Sequence, residues 1–397
     1  MNKNFSNFFL NNFFEYENCV CVCQKETVYS TPGQPPHYNL KLCSVPEQTI
    51  RFSYTAQKGL NQSGNAGGII SENILGQLLA LPSNDIDATI QFFEKYGFLF
   101  PINSDEYESV DGYALLEIVN RVKATVMLMS AIAGKRNYSK ILTYTTYLLY
   151  TDPVELMLSS TSYSSAKNHP FTELIRNYNI MPDTSRSQEF FDHECISVYD
   201  SVIGNYKKLY IDEIAGMSMG DGINGLTGSR DWHFRNLFAL YTTYNIDDDI
   251  LRTTIDFYYN FQKNVGVIKN VEADGITFHA PLKKDNFSDE LKDALLKIAK
   301  ATISAEINAN LHSISPQFDV GTFAPSWKLN SLLEALYFSV FYMKPGVELY
   351  KECENPNCKH QKYFLINATV TNKKYCCPAC GNAAAQRRSR QRKLENK

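Results

Sequence analysis

Two close groups of cysteines near the end of the chain constrain its fold more than any other feature. Four residues separate Cys353 from Cys358, and Cys376, Cys377 and Cys380 follow after a span of 17 residues. Zn²⁺ in structural sites takes four ligands at the corners of a tetrahedron, and thiolates suit it. We do not expect the N-terminus to be a signal peptide, so paired cysteines favour a metal site over disulfides. The sequence therefore predicts a four-cysteine zinc site.

The residues around these cysteines predict a knuckle, a hairpin and a helix. Pro356 and Asn357 favour a turn inside the first pair. Strand-forming residues at 363–366 and 369–371 predict a hairpin that returns the chain to the metal. Pro378 suits the first position of a helix, which places Cys380 in the first turn, where free N–H groups favour a thiolate. The expected arrangement is treble-clef-like.

Spacing alone leaves the third ligand open. Cys376 and Cys377 are four and three positions before Cys380, and both separations are compatible with zinc. His360 is a weaker substitute, which we expect to be a solvated loop residue.

This stretch resembles the CGNR-type zinc finger. The matching residues are C-E-N-P-N-C at 353–358, Tyr363 and Phe364, Tyr375 and Cys376, and C-G-N at 380–382 before a basic helix. Ala383 stands where the family has its arginine. The resemblance implies that Cys353, Cys358, Cys376 and Cys380 bind zinc, that Cys377 occupies a helix-cap position, and that the protein is a DNA-binding regulator. It covers the last eighth of the chain, and residues 1–350 resemble no family.

Charge is distributed unevenly along the chain. Residues 351–397 hold 11 of the 39 Lys and Arg but 3 of the 42 Asp and Glu, a formal +8 against −11 for the rest. A basic tail on an acidic body indicates nucleic-acid contact. Because the arginines follow one another closely around the helix, we expect phosphate contact with little sequence readout. The expected contacts, to DNA in particular, are Lys373, Lys374, Arg387, Arg388, Arg390, Arg392 and Lys393. The alternative is that the tail docks on its own acidic body.

The body of the chain carries no recognisable catalytic constellation, so we do not expect an enzyme. A G-x-G-x-x-G match at 220–225 lacks the strand–turn–helix context of a nucleotide site, and a surface loop is the favoured interpretation. No apolar run is long enough to span a membrane, and we expect a cytoplasmic protein. The competing hypotheses are a structural or protein-interaction zinc module and, less favoured, an enzyme body with a targeting finger.

The expected fold class is α+β, with a mainly helical body. Apolar residues make up 44% of the chain, enough for a substantial core. We predict a β-rich segment over 1–58, the helical body over 59–350 and the zinc finger over 351–397. Residues 1–15 are expected to form a short helix or an arm, residues 59–68 a loop, and Pro316 and Pro325 another loop. Helical periodicity predicts helices over 85–97, 113–135, 138–151, 288–314 and 329–343.

Overall fold

The computed structural model gives the protein as two compact units. The first unit comprises residues 1–137, 154–165 and 306–397, and the second comprises residues 138–153 and 166–305. The structure describes residues 13–28, 37–56, 58–63, 69–133, 135–151, 154–165, 248–320, 323–343, 347–367, 369–370 and 372–395. The 220–225 glycine motif lies outside the described residues.

An antiparallel five-stranded sheet organises the first unit. Its order is β1 (Phe13–Val28), β2 (His37–Thr55), β3 (Gly59–Ser63) and β4 (Ile69–Asn73), and β5 (Glu108–Asp111) pairs with the first half of β2. Alternate residues of β2 are buried, namely Leu40, Leu42, Ile50, Phe52 and Tyr54. This period of two places one face of β2 against the core. A separate short hairpin of this unit pairs β6 (Glu155–Met157) with β7 (Ser162–Ser164).

Helices of the first unit cover the buried face of the sheet. They are α1 (Ile74–Leu79), α2 (Ile86–Tyr96), α3 (Gly112–Ala133) and α7 (Leu332–Phe341). Asp85 caps α2 by accepting a hydrogen bond from the backbone N–H of Ala88, and Gly97 ends the helix with φ of +82°. A positive φ at this position favours glycine, which explains why the predicted boundary at 97 agrees with the structure.

The second unit is built on helices. It contains α4 (Tyr138–Tyr150), α5 (Asp249–Asn264), most of α6 (Asp289–Ala309) and a hairpin of β8 (Ile268–Glu272) and β9 (Gly275–Phe278). Asp248 caps α5 through the N–H groups of Ile250 and Leu251. The Tyr258 hydroxyl donates to Thr146 Oγ1 at 2.9 Å, which joins α5 to α4 in the core of this unit.

The α+β class predicted from the sequence is confirmed, with an N-terminal antiparallel sheet, a helical middle and a small C-terminal cysteine cluster. Outside the finger, the structure differs from three local predictions. The predicted helix or arm over 1–15 becomes strand from Phe13, and the predicted loop over 59–68 begins with β3. The segments around Pro316 and Pro325 form a two-stranded hairpin, β10 (Ser315–Asp319) with β11 (Ala324–Lys328). Both strands of a two-stranded sheet are edges, so proline's missing N–H is tolerated there.

A buried ion pair lies in the core of the first unit. Arg121 of α3 donates a hydrogen bond to the carboxylate of Glu306, and the two side chains are 2% and 0% exposed. The Tyr337 hydroxyl donates to the other Glu306 oxygen at 3.2 Å. Burial lowers the pKa of Arg121, but the adjacent Glu306 carboxylate more than offsets this and leaves the guanidinium charged. The ion pair therefore joins α3 to the end of α6 that belongs to the first unit, and the tyrosine hydrogen bond adds α7.

Among the described helices, none is both long and apolar enough to cross a membrane.

Candidate metal centre

The cysteine groups are brought together by a hairpin and a helix. Strand β12 (Glu348–Glu352) leads into the first knuckle and pairs antiparallel with β13 (Tyr363–Asn367). The second cysteine group precedes and enters α8 (Pro378–Glu395). The partner of β13 is therefore β12, and not residues 369–371 as the sequence predicted. Thr369 and Val370 lie outside any strand, and within the described residues β13 pairs with β12, which precedes the knuckle.

Four sulfurs lie at the separations that a zinc tetrahedron requires. The Sγ atoms of Cys358, Cys376 and Cys380 are 3.6 Å apart in all three pairs. Cys353 completes a set of four whose sulfurs all lie within 4.8 Å of one another. With Zn–S bonds of about 2.3 Å, the edges of a tetrahedron are about 3.8 Å. These distances fit a metal ion at the centre and are far longer than the roughly 2 Å of a disulfide.

Cys376, and not Cys377, belongs to the four-cysteine set. The Cys377 sulfur instead accepts hydrogen bonds from the backbone N–H groups of Cys380 and Ala379, so it caps α8. Cys377 also falls in a second group with His360 and Cys380. That group offers three donors, shares Cys380 with the first, and includes an exposed histidine. The four-thiolate set alone fills the four positions of a structural zinc site.

Backbone N–H groups around the sulfurs favour thiolates. Burial raises the pKa of the Cys353 thiol, but N–H groups of Cys376 and Asn355 donate to its sulfur and leave the pKa below its ordinary value. Without a metal, the closeness of the four sulfurs makes it unfavourable for all of them to be thiolates at once. Asn355 lowers the pKa of Cys380, whereas burial and Cys358 raise it, with a net value of about 11. A bound Zn²⁺ reverses this balance, because its charge favours four thiolates.

Asn355 connects the metal centre to the basic helix. It is 5% exposed, and its side-chain amide donates to the Cys380 sulfur. Its Oδ1 atom accepts a hydrogen bond from the guanidinium of Arg387. Side chains of this kind orient the ligands of a metal site. The sequence alone did not assign Asn355 a role. An asparagine next to a proline inside the first cysteine pair does indicate a turn residue whose side chain hydrogen-bonds locally.

The hairpin of the finger is packed against the first unit. Tyr350 of β12 is 4% exposed, and its hydroxyl donates to Asn73 Oδ1 at 2.9 Å. The same oxygen caps α1 by accepting from the N–H of Gly76. The backbone N–H of Tyr350 donates to Ser130 Oγ of α3 at 3.2 Å. The metal centre is thus carried by a hairpin anchored at both α1 and α3.

The predicted basic contacts differ in their surroundings. Arg387 is half-buried against Asn355, Arg388 donates to the Tyr375 hydroxyl at 3.2 Å, and Arg390 and Arg392 are exposed. Lys373 lies over the ring of Phe364, with Nζ 5.3 Å from the ring centroid, and Lys374 Nζ is 3.4 Å from a Glu354 carboxylate oxygen. Lys393 lies in the last turns of α8. The structure places Arg388, Arg390 and Arg392 on solvent-facing parts of one helix.

Comparison of the chain with protein-family models, with curated proteins and with solved structures found no match. The class that the fold and site support is an α+β protein with a C-terminal four-cysteine centre suited to zinc. The resemblance to the CGNR type rests on the residues of the finger alone.

Proposed function

We propose that the protein is a non-catalytic DNA-binding regulator that contacts phosphates through α8. The observation that carries this proposal is the exposure of Arg388, Arg390 and Arg392 on a helix that begins at the metal centre. Within the described part of the chain, none of the three forms an ion pair with an acidic residue. Their charges therefore favour an external polyanion over the acidic body.

The zinc site would hold this helix in place. Cys380 lies in the first turn of α8, and Arg387 is joined through Asn355 to the first knuckle. Metal binding and the position of the arginines are therefore linked, and we expect nucleic-acid affinity to require zinc.

Binding of the purified full-length protein to short duplex DNA, single-stranded DNA and RNA over a salt series tests the proposal. We expect duplex DNA to bind tightest, with affinity that falls steeply with salt and disappears after chelation of the metal. Arg388→Ala, Arg390→Ala and Arg392→Ala combined should reduce the slope of log affinity against log salt by about 0.9 for each phosphate that the variant no longer neutralises. The matched control removes three exposed cations of the body, Arg51, Lys58 and Lys328, and should leave the slope unchanged.

The second candidate is a structural zinc module. The observation that favours it is the docking of β12 on α1 and α3, which shows that the hairpin contributes to the packing of the first unit. Absence of binding to every polymer at low salt, with zinc present, would support this candidate over the first.

A further inference from the structure

The outward face of α8 differs from the flanks that carry the arginines. Asn382, Ala385, Gln386 and Ser389 are all exposed. They stand at positions i, i+3, i+4 and i+7, which lie on one side of a helix of 3.6 residues per turn. This side is opposite the one that faces the finger, where Cys380 and Ala384 are buried. From Asn382 to Ser389, the part of α8 farthest from the protein is therefore small and amide-bearing, and not basic, whereas Lys393 follows on the same side of the helix four residues after Ser389.

The exposed arginines border this face on both sides. With 100° per residue, Arg390 lies about 80° to one side of Asn382, and Arg392 lies about 80° to the other. Arg388 lies four residues before Arg392 and shares its flank. Arg387 points the opposite way, into the finger, where it contacts Asn355. The arrangement is a neutral strip from Asn382 to Ser389 whose C-terminal end has one exposed arginine on one flank and two on the other.

A groove of duplex DNA has the complementary arrangement. Its floor consists of base edges, and its two walls are lines of phosphates. The major groove is about 12 Å wide and admits an α-helix, whereas the minor groove, at about 6 Å, does not. The major groove of duplex RNA is too deep and narrow for side-chain readout. Both the shape of the helix and its charge therefore select the DNA major groove.

We infer that α8 enters the major groove of duplex DNA with Asn382 and Gln386 against base edges, Arg390 on one phosphate wall, and Arg388 and Arg392 on the other. This inference rests on the proposed function and replaces the expectation of little sequence readout. Asn and Gln side chains can form two hydrogen bonds with adenine, and small residues such as Ala385 admit the thymine methyl group. The partner of this face of α8 is therefore a short segment of duplex DNA rich in A·T pairs.

The length of the exposed strip sets the size of the site. The seven residue steps from Asn382 to Ser389 span about 10 Å at 1.5 Å per residue. Base pairs are stacked about 3.4 Å apart. One copy of α8 should therefore read about three base pairs.

Selection from a randomised duplex library by the zinc-loaded full-length protein, followed by sequencing, tests this inference. The wild-type protein should enrich a motif of about three base pairs that contains A·T. Asn382→Ala and Gln386→Ala should each weaken the preference at one motif position about 5- to 100-fold, while affinity for random duplex changes less than about 2-fold. Arg390→Ala is the contrasting variant and should lower affinity for all sequences alike. The metal content of each variant verifies that the finger is intact.

Two outcomes overturn different claims. If the protein binds duplex DNA but enriches no motif, or if both amide variants retain the wild-type motif, the readout is wrong and phosphate binding through α8 stands. If the zinc-loaded protein binds no duplex at low salt, the proposed function fails, and the readout fails with it.

Discussion

At the scale of single residues, the neighbouring cysteines Cys376 and Cys377 make different contacts. Cys376 lies 3.6 Å from both Cys358 and Cys380, measured between sulfurs, within the four-thiol set. Cys377 follows it directly, but its sulfur accepts N–H groups of the first turn of α8. One peptide unit thus separates a member of the four-thiol set from a helix cap.

The first prediction concerns thiol reactivity in the zinc-loaded protein. Among the five cysteines of residues 353–380, Cys377 should be alkylated first by iodoacetamide, because its sulfur is not a ligand. N–H groups of Cys380 and Ala379 also keep its pKa below the ordinary value, which increases the thiolate fraction at neutral pH. Peptide mass spectrometry gives the order of labelling. Protection of Cys377 together with labelling of Cys376 would reverse the ligand assignment.

The second prediction compares variants of the same two residues. Cys376→Ser should release the metal from the full-length protein, whereas Cys377→Ser should retain it, because serine is also a good helix cap. The zinc content after gel filtration distinguishes the two. Equal metal loss in both variants would show that Cys377 is needed for coordination.

The third prediction concerns the buried ion pair. Glu306→Ala should destabilise the protein by about 3–5 kcal/mol, because it leaves the charge of Arg121 buried without its carboxylate. Glu17→Ala, at an exposed pair in which Arg51 Nε is 3.0 Å from the carboxylate, should cost at most about 1 kcal/mol. Urea unfolding of both variants measures the difference. A cost for Glu306→Ala no larger than that of Glu17→Ala would contradict a role for the pair in stability.

At the scale of elements, the hairpin of the finger and α1 pack too closely for a side chain between them. A Cβ atom on Gly76 of α1 would lie 2.5 Å from the carbonyl oxygen of Tyr363 in β13. This distance is much shorter than a van der Waals contact. Because the oxygen belongs to the backbone, it cannot move aside as a flexible side chain could. The glycine is thus required by the docking of the finger on α1.

The fourth prediction follows from this close approach. Gly76→Ala should destabilise the first unit by about 1–3 kcal/mol through overpacking. Helix propensity alone predicts the opposite sign, since alanine in a helix is favoured over glycine by about 1 kcal/mol. Gly275→Ala at the start of β9, where an added Cβ meets no atom within 4 Å, is the control. A stabilised Gly76→Ala variant in urea unfolding would show that the hairpin and α1 are not packed together.

At the scale of the whole molecule, the metal centre has two kinds of support. We expect its knuckles and α8 to depend on a bound metal ion, because the four thiols come from both knuckles and from the first turn of α8. The hairpin is also held by α1 and α3, through Tyr350. Removal of the metal should therefore loosen the tail without unfolding the body.

The fifth prediction tests this division by hydrogen exchange before and after chelation. Amide protection should fall in residues 353–362 and 372–395 and persist in β12 and the five-stranded sheet, because local opening follows the removal of local interactions. A fall in protection throughout the first unit would show that zinc stabilises the whole unit.

How far the sequence predicts this protein is clearest at the finger. The cysteine spacing was sufficient to predict a four-thiol site, and Gly97 was sufficient to predict where the helix over 85–97 ends, because such signals act within a few residues of chain. The start of that helix was expected near Ser83 or Asn84, and the structure places the cap at Asp85. The choice of Cys376 over Cys377 came from resemblance and not from spacing, since both separations suit zinc. DNA as the partner stays a prediction.

The tertiary structure decided which segments meet. Strand formers at 363–366 were predicted to pair with 369–371, but β12 is their partner, and β12 is itself packed on α1 and α3. Strand pairing depends on packing with the rest of the fold, which local sequence does not show. The role of Asn355 and the contact of Arg387 with it required Cys380 and the first knuckle to be brought together in space. The sequence by itself determined which thiols are close enough in the chain to form one site, and which residues end the helices. Contacts between distant segments, which depend on packing, determined which strand pairs with β13, where the finger is anchored, and which face of α8 points outward.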